Sequence, residues 1–305
     1  MNLKYLITKK FKNWLIYILV QFFFFLLQNM PRKLAFFLLT RISLFCFRVI
    51  PDARKKTIKH LSQVFGAEKN EAEILKMAWT VFRNLGRNAV DMFRLKKLLG
   101  KDPYRYVKVN GLDNLDEALS GNKGVIVITG HIGCWELMAG FISSIGYTVG
   151  VVGTPLYDPR LDRMLVENRT SVGLKNIVRD TGAREILKLL KTGNIVGILI
   201  DQDTKVDGEF VDFLGKPALT PVGPVTLALK TGAAIVPMAI HIQDDNTHLI
   251  EIEHAIELEH TGDKKQDRIV NTAKCSKAVE RMLLKDPTQW VWMHERWKTK
   301  PVNFE

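Results

Sequence analysis

The sequence predicts an α/β fold: a mostly parallel or mixed central sheet flanked by helices, entered through an N-terminal hydrophobic helix. Three observations predict it. Short, wholly apolar, β-branched runs such as Val125–Thr129 (VIVIT) recur from the middle of the chain onward, as strands buried on both faces do. Stretches with apolar residues three and four apart separate them, and strands alternating with helices build a largely parallel sheet. The third is the uncharged run at residues 14–30, WLIYILVQFFFFLLQNM.

Composition sets outer bounds. The 305 residues are 47% hydrophobic and 25% charged, which excludes a disordered chain. That length suits one large domain, or one domain with a small appendage. No Gly-X-Y period, heptad array or 20–50-residue repeat is visible. Cys46, Cys134 and Cys275, odd in number and far apart, exclude a disulfide scaffold and a Cys-rich zinc site, and fit a reducing compartment.

The N-terminal elements come first. A helix over residues 14–30 is about 25 Å long at ~1.5 Å per residue, against a bilayer core of ~30 Å. It is short for a span and long enough to embed in one leaflet. Lys4, Lys9, Lys10 and Lys12 before it mimic a signal peptide, but no small-x-small cleavage site comes after it. A second apolar run, Leu34–Ile50, carries Arg41 and Arg48 on one helical face, as an amphipathic helix on a membrane or over a core does. Arg54, Lys55, Lys56 and Lys59 extend the positive charge, so both flanks of the first run are basic. That pattern fits an element entering and leaving on one anionic, cytoplasmic face. The expected organisation is 1–59 as membrane-anchoring and amphipathic helices, and 60–305 as a helical lead-in plus an α/β domain.

Within 60–99, Ile74, Met77, Ala78, Val81, Phe82 and Leu85 recur at helical spacing. Strands are expected at Val125–Thr129, Tyr147–Val152, Ile195–Ile200 and Ala234–Ile240, with a half-exposed strand at Leu249–Ile256. Helices are expected near 134–143, 159–171, 183–191 and 221–230, and over 267–284. The net charge of +12 also raises nucleic acid as a partner. No zinc finger or helix-turn-helix pattern accompanies it, and the basic residues crowd the apolar N-terminus, so no nucleic-acid role is expected.

The chemistry is expected at His131 and Glu136. A buried strand runs into Gly130, then His131, then a helix, and ligands of such sheets bind where strands end and helices begin. In a continuous helix the two side chains would diverge by about 140°. They meet only if His131 lies in the turn before the helix and Glu136 in its first turn, and Gly130 and Gly133 permit that turn. A lone His is more often a satisfied core residue; the strand–Gly–His–Gly–Glu context argues for a base. A carboxylate there would hold one ring nitrogen as N–H and stabilise the imidazolium. With no Ser nucleophile nearby, the deprotonated hydroxyl would belong to the substrate. Cys134 is an alternative nucleophile, placed inside the helix.

Gly130-His-Ile-Gly-Cys-Trp-Glu136 resembles the H-x4-D/E motif of glycerolipid acyltransferases, and in particular the His-Phe-Gly-Asn-Trp-Glu stretch of bacterial lipid A late acyltransferases. The resemblance continues in order through Glu-Asn-Arg169-Thr-Ser-Val-Gly, Asp201-Gln-Asp203, Gly208-Glu-Phe-Val-Asp-Phe-Leu-Gly215, Pro221-Val-Gly-Pro224, Thr231-Gly-Ala-Ala-Ile-Val-Pro237 and the tail from Trp290 to Pro301. Cys134 stands where the family commonly has Asn, and Glu295 replaces the second basic residue of the tail.

The resemblance implies a glycerol-3-phosphate-acyltransferase-like fold and transfer of a fatty acyl chain from an acyl carrier protein, or coenzyme A, to a hydroxyl of a phosphorylated glycolipid. Beyond that co-substrate it implies no cofactor and no metal. His131 would be the general base and Glu136 its orienting partner. Donors near Gly133 would bind the oxyanion, and Arg169 an acceptor phosphate. Asp201, by pairing with Arg169, would hold the site together, with Gln202 and Asp203 as lesser substrate-binding candidates. It further implies an inner-membrane location with the active domain on the cytoplasmic face. Rival readings are the same fold with another acceptor, such as a phosphatidylinositol mannoside, and an inactive lipid-binding protein. An α/β hydrolase lacks its Gly-x-Ser-x-Gly elbow, and the late histidines lack tight metal-ligand spacing.

Overall fold

A computed structural model of the chain describes residues 3–204 and 206–301. Helix α1 (Leu3–Asn29) contains the uncharged run up to Asn29, and its apolar part spans Asn13–Asn29. Helix α2 (Arg32–Val49) starts after Pro31. Pro51 then disfavours helical backbone at Ile50, whose φ of −109° and ψ of 81° break the run. Helix α3 (Pro51–Phe65) leaves at 88° to α2. Among the described residues no single helix is long and apolar enough to cross a membrane; α2 and α3 reach that length only together, across this bend. Apolar surface is nonetheless exposed: Phe22 and Phe25 on α1 are 58% and 66% accessible, and Leu34, Phe37 and Phe45 form an exposed stripe on α2.

The helical lead-in expected over 60–99 is three pieces: the end of α3, then α4 (Glu71–Met92) and α5 (Leu95–Leu99). The expected division at residue 59 falls inside α3. Helix α4 starts at a reciprocal cap, in which the Asn70 side chain accepts from the Glu73 N–H and Glu73 accepts from that of Asn70. A buried cluster ties α2 and α4 to the sheet. Arg32 donates to Asp91 at 2.9 and 2.5 Å, and His248 Nε2 lies 2.7 Å from the same carboxylate.

The sheet has seven strands: β1 (Val107–Asn110), β2 (Val125–Thr129), β3 (Val149–Gly153), β4 (Lys175–Val178), β5 (Ile195–Leu199), β8 (Ala234–Ile242) and β9 (His248–Ile252). Its order is β1-β9-β8-β2-β5-β3-β4, and every pair is parallel except β8–β9. The sheet is therefore mixed but mostly parallel, as expected. Between its strands run α6 (Leu112–Ser120), α7 (Trp135–Ser144), α8 (Pro159–Thr170), α9 (Ala183–Lys191) and α10 (Gly223–Thr231), with α11 (Lys264–Lys285) after it. An antiparallel hairpin, β6 (Gly208–Phe213) with β7 (Lys216–Pro221), stands apart from the sheet. Strand β2 is wholly buried at the centre, between β5 and β8, so Gly130 and His131 at its carboxyl end leave from a rigid support.

Candidate active site

Strands β2 and β5 are parallel neighbours with Thr129 opposite Leu199, so the residues just beyond them meet at one rim of the sheet. Those residues are Gly130-His131 and Ile200-Asp201. The Asp201 carboxylate is fully buried and accepts three hydrogen bonds. His131 donates through its backbone N–H at 2.6 Å, and the Trp290 indole N–H donates at 2.7 Å, both to Oδ2; His131 Nδ1 lies 2.8 Å from Oδ1. A Cβ at Gly130 would fall 3.0 Å from Asp201 Oδ2, so glycine there is what admits the carboxylate to the backbone. Burial opposes ionisation of Asp201, but His131 and these donors hold its pKa far below the usual carboxylate range.

This corrects the expected pairing. Asp201, not Glu136, orients His131. With Nδ1–H given to Asp201, the His131 Nε2 carries the lone pair and accepts from the Gln202 amide at 3.1 Å. The same amide nitrogen lies 2.7 Å from Nε2 of His294. Burial, then the nearby His131, push the His294 pKa down to about 4, so this second imidazole is neutral at physiological pH.

Glu136 sits in the first turn of α7, as expected, but turns to α8. Arg169 grips it with two bonds, Nε to Oε2 at 2.8 Å and Nη2 to Oε1 at 2.5 Å, and also donates to Asn176. Glu136 and Arg169 are thus partners, and the expected Asp201–Arg169 pair does not form. The five-residue offset explains it: once His131 is fixed to β5, the first turn of α7 aims Glu136 elsewhere.

Gly133 is structural. Its N–H donates to Gln289 O at 2.9 Å, its φ is +58°, and a Cβ would lie 2.0 Å from Ile240 O. It is therefore no oxyanion donor. Gly133→Ala is expected to destabilise the fold by about 2 kcal/mol or more, read as a lowered unfolding midpoint. Asp203 accepts from the backbone N–H of Thr299 at 2.6 Å and from its hydroxyl at 3.0 Å, which fastens the C-terminal tail rather than lining the cavity. Cys134, just before α7, is buried, and burial raises its thiol well above the ordinary value, which removes it as a nucleophile.

Sequence reasoning gave no role to His294, Trp290 or Arg179. The tail motif from Trp290 to Pro301 carried the signal for the first two. Their placement depends on α3: His60 Nδ1 lies 2.8 Å from Trp292 O, and Lys56 pairs with Glu295 at 3.1 Å. Glu295, which departs from the family pattern, therefore joins the tail to α3. Arg296 is fully buried and donates to Leu219 O and the Thr220 hydroxyl, joining the tail to β7.

A cavity of about 940 Å³ is lined by His131 and Gln202. Apolar residues of α8, including Leu161, Met164 and Leu165, and Val20 and Phe24 of α1 form much of its wall. Glu136, Arg169, Arg179, Gln202 and Asp207 are among its polar groups. Among the described residues Arg179 pairs only with Asp180, at 3.5 Å, so its charge is far less engaged than that of Arg169.

Fold and site together define an α/β protein with a carboxylate-held imidazole facing a lipid-sized apolar cavity. The profile of the bacterial lipid A biosynthesis acyltransferase family matches residues 3–299, and the chain belongs to that family. It is 25% identical over 277 residues to the lipid A biosynthesis palmitoleoyltransferase of Escherichia coli (strain K12), covering 90% of this chain and 88% of that protein. It is 24% identical over 250 residues to the lauroyltransferase of the same organism, covering 81% and 80%. It is also 30% identical over 158 residues to a phosphatidylinositol mannoside acyltransferase of Mycobacterium tuberculosis (strain CDC 1551 / Oshkosh); that match spans half of each chain.

Proposed function

We propose that the protein is an O-acyltransferase that moves a fatty acyl chain from an acyl carrier protein thioester, or acyl-CoA, to a hydroxyl of a phosphorylated lipid A precursor. The observation that carries this reading is His131 lining an apolar cavity while its Nδ1 is held by buried Asp201 and its Nε2 meets only the neutral Gln202 amide among the described residues. Nε2 takes the acceptor hydroxyl proton as its oxygen attacks the thioester carbonyl. The C–S bond then breaks, and the imidazolium returns the proton to the leaving thiolate. Attack is direct, without an acyl-enzyme. The first turn of α7, just beyond His131, has no side-chain cap and supplies N–H donors for the oxyanion. The apolar cavity takes hydrocarbon, each buried methylene contributing ~0.8 kcal/mol. Arg179, with its lightly engaged charge, meets an acceptor phosphate in place of Arg169.

The exposed apolar faces of α1 and α2 dock the protein on the inner membrane, with the active domain on the cytoplasmic face. Because α1 also walls the cavity, acceptor lipid enters from the bilayer. The mycobacterial similarity favours a second reading, the same reaction with a phosphatidylinositol mannoside acceptor.

The test is transfer by the purified protein in detergent, with radiolabelled acyl carrier thioester and either a phosphorylated glucosamine disaccharide lipid or a phosphatidylinositol mannoside. Labelled ester is expected with the disaccharide lipid, and no labelled protein in a quenched single turnover. Ester with only the mannoside moves the assignment to the second acceptor; label retained on protein overturns direct attack.

A further inference from the structure

Away from the cavity, α2, α4 and the β8–β9 turn enclose a groove of about 370 Å³ lined by Phe36, Phe37, Arg41, Arg83, Arg87 and Asp244, among others. Three guanidiniums face it with one exposed carboxylate, Asp244. Among the described residues none of these arginines makes an ion pair. Among the described residues Arg41 reaches only the Phe37 ring, at 5.1 Å from its centroid. The Nε of Arg83 is buried with no hydrogen-bond partner. Arg87 is 9% exposed, and its partners are neutral oxygens, Gln243 O at 2.7 Å and Asn246 Oδ1 at 2.8 Å. Burial, then the neighbouring Arg83, disfavour its charge, and Asp244 and Asp91 offset this only in part, leaving its pKa lowered. A folded protein that gathers three unpaired cations, one nearly buried, leaves a position that an anion completes.

The place of the groove says which anion. Strand β8 runs parallel to β2, so the turn after β8 lies at the same rim of the sheet as His131. The groove is flanked by the exposed stripe of Leu34, Phe37 and Phe45 on α2, which alternates with Arg41 and Arg48. Aromatic and aliphatic residues interleaved with arginine on one helical face suit the headgroup level of a bilayer. We infer that the Arg41–Arg83–Arg87 groove binds the phosphodiester of an anionic membrane phospholipid. Bound there, the lipid fixes how deeply α2 sits and presents the cavity mouth to the membrane. This rests on the membrane docking proposed above and not on the acyl-transfer chemistry.

Native mass spectrometry of the full chain from neutral detergent, with phosphatidylglycerol or phosphatidylcholine added, tests it. Wild-type protein is expected to retain phosphatidylglycerol preferentially. Arg41→Gln with Arg83→Gln should lower that retention about tenfold or more, the size expected of two charge-assisted contacts. Arg41→Gln alone, whose side chain touches only a ring, keeps the test open should the double variant misfold, and is expected to lose at least threefold. Lys191→Gln, an exposed control of equal charge, should change nothing; an equal loss there overturns a specific site. An unchanged lipid preference in the arginine variants overturns the proposal. Displacement of the lipid by millimolar inorganic phosphate overturns the lipid assignment in favour of a free anion. Because the readout is lipid retention, failure here and failure of the transfer assay are separate results.

Discussion

An Asp201→Asn variant is expected to fold, bind the acyl donor, and turn over about 10³-fold more slowly or worse, close to the loss from His131→Ala. Asp201 accepts from the His131 backbone N–H, from His131 Nδ1 and from the Trp290 indole. An asparagine has one acceptor oxygen, so at least one of these donors would face an NH2 group. Relief of that clash releases Nδ1 or reverses the imidazole tautomer, and Nε2 then carries a proton instead of the lone pair it needs. The negative charge that stabilises the imidazolium is lost as well. The effect belongs in kcat, with donor KM little changed, because Asp201 is buried behind the imidazole and does not line the cavity. Steady-state kinetics on the folded variant check it. A turnover within tenfold of wild type would sink the pairing of Asp201 with a catalytic His131.

Much of the fold was legible. The wholly apolar β2 is buried on both faces, and the expected helices near 134–143, 159–171 and 183–191 correspond to α7, α8 and α9. The elements that escaped were short or lay at an edge. Strand β4 (KNIV) has one buried residue, and β1 (VKVN) is polar at alternate positions, so neither shows the apolar run that marks a central strand. The β6–β7 hairpin was visible only as a family-like segment, because its turn places Leu214 at a φ of +54° without the Asn-Gly signature of tight hairpins.

The site was legible in part of its membership and not in its pairing. His131, Glu136, Arg169, Asp201 and Gln202 do converge at one rim of the sheet. Local spacing suggested His131 with Glu136 because they are near in sequence. The actual partner lies 70 residues away, and only the parallel register of β2 with β5 brings it there. A contact set by strand neighbours is not written in the spacing of either segment. Gly130 was the one local trace of it, since its missing Cβ is where the Asp201 carboxylate sits.

The second large effect concerns stability, and it separates two roles for Arg169. Glu136 is 5% exposed, and among the described residues Arg169 is its only hydrogen-bonding side chain. Arg169→Met would strand a buried carboxylate, at a cost of about 3–5 kcal/mol for breaking a buried pair from one side. Glu136→Gln would leave the guanidinium facing a neutral amide, a milder loss of about 1–3 kcal/mol. Combining Glu136→Gln with Arg169→Met removes both charges, so the double variant should be more stable than the sum of the single losses predicts, with a coupling of about 1–3 kcal/mol. Chemical denaturation of the four proteins in one detergent measures this. If Arg169 instead serves chiefly to bind an acceptor phosphate, its replacement will raise the acceptor KM while leaving the unfolding midpoint near wild type, and the coupling will vanish. The two bonds between these side chains, made across α7 and α8 on the cavity wall, favour the first result: the pair keeps the wall closed behind the base, and the base itself depends on β5.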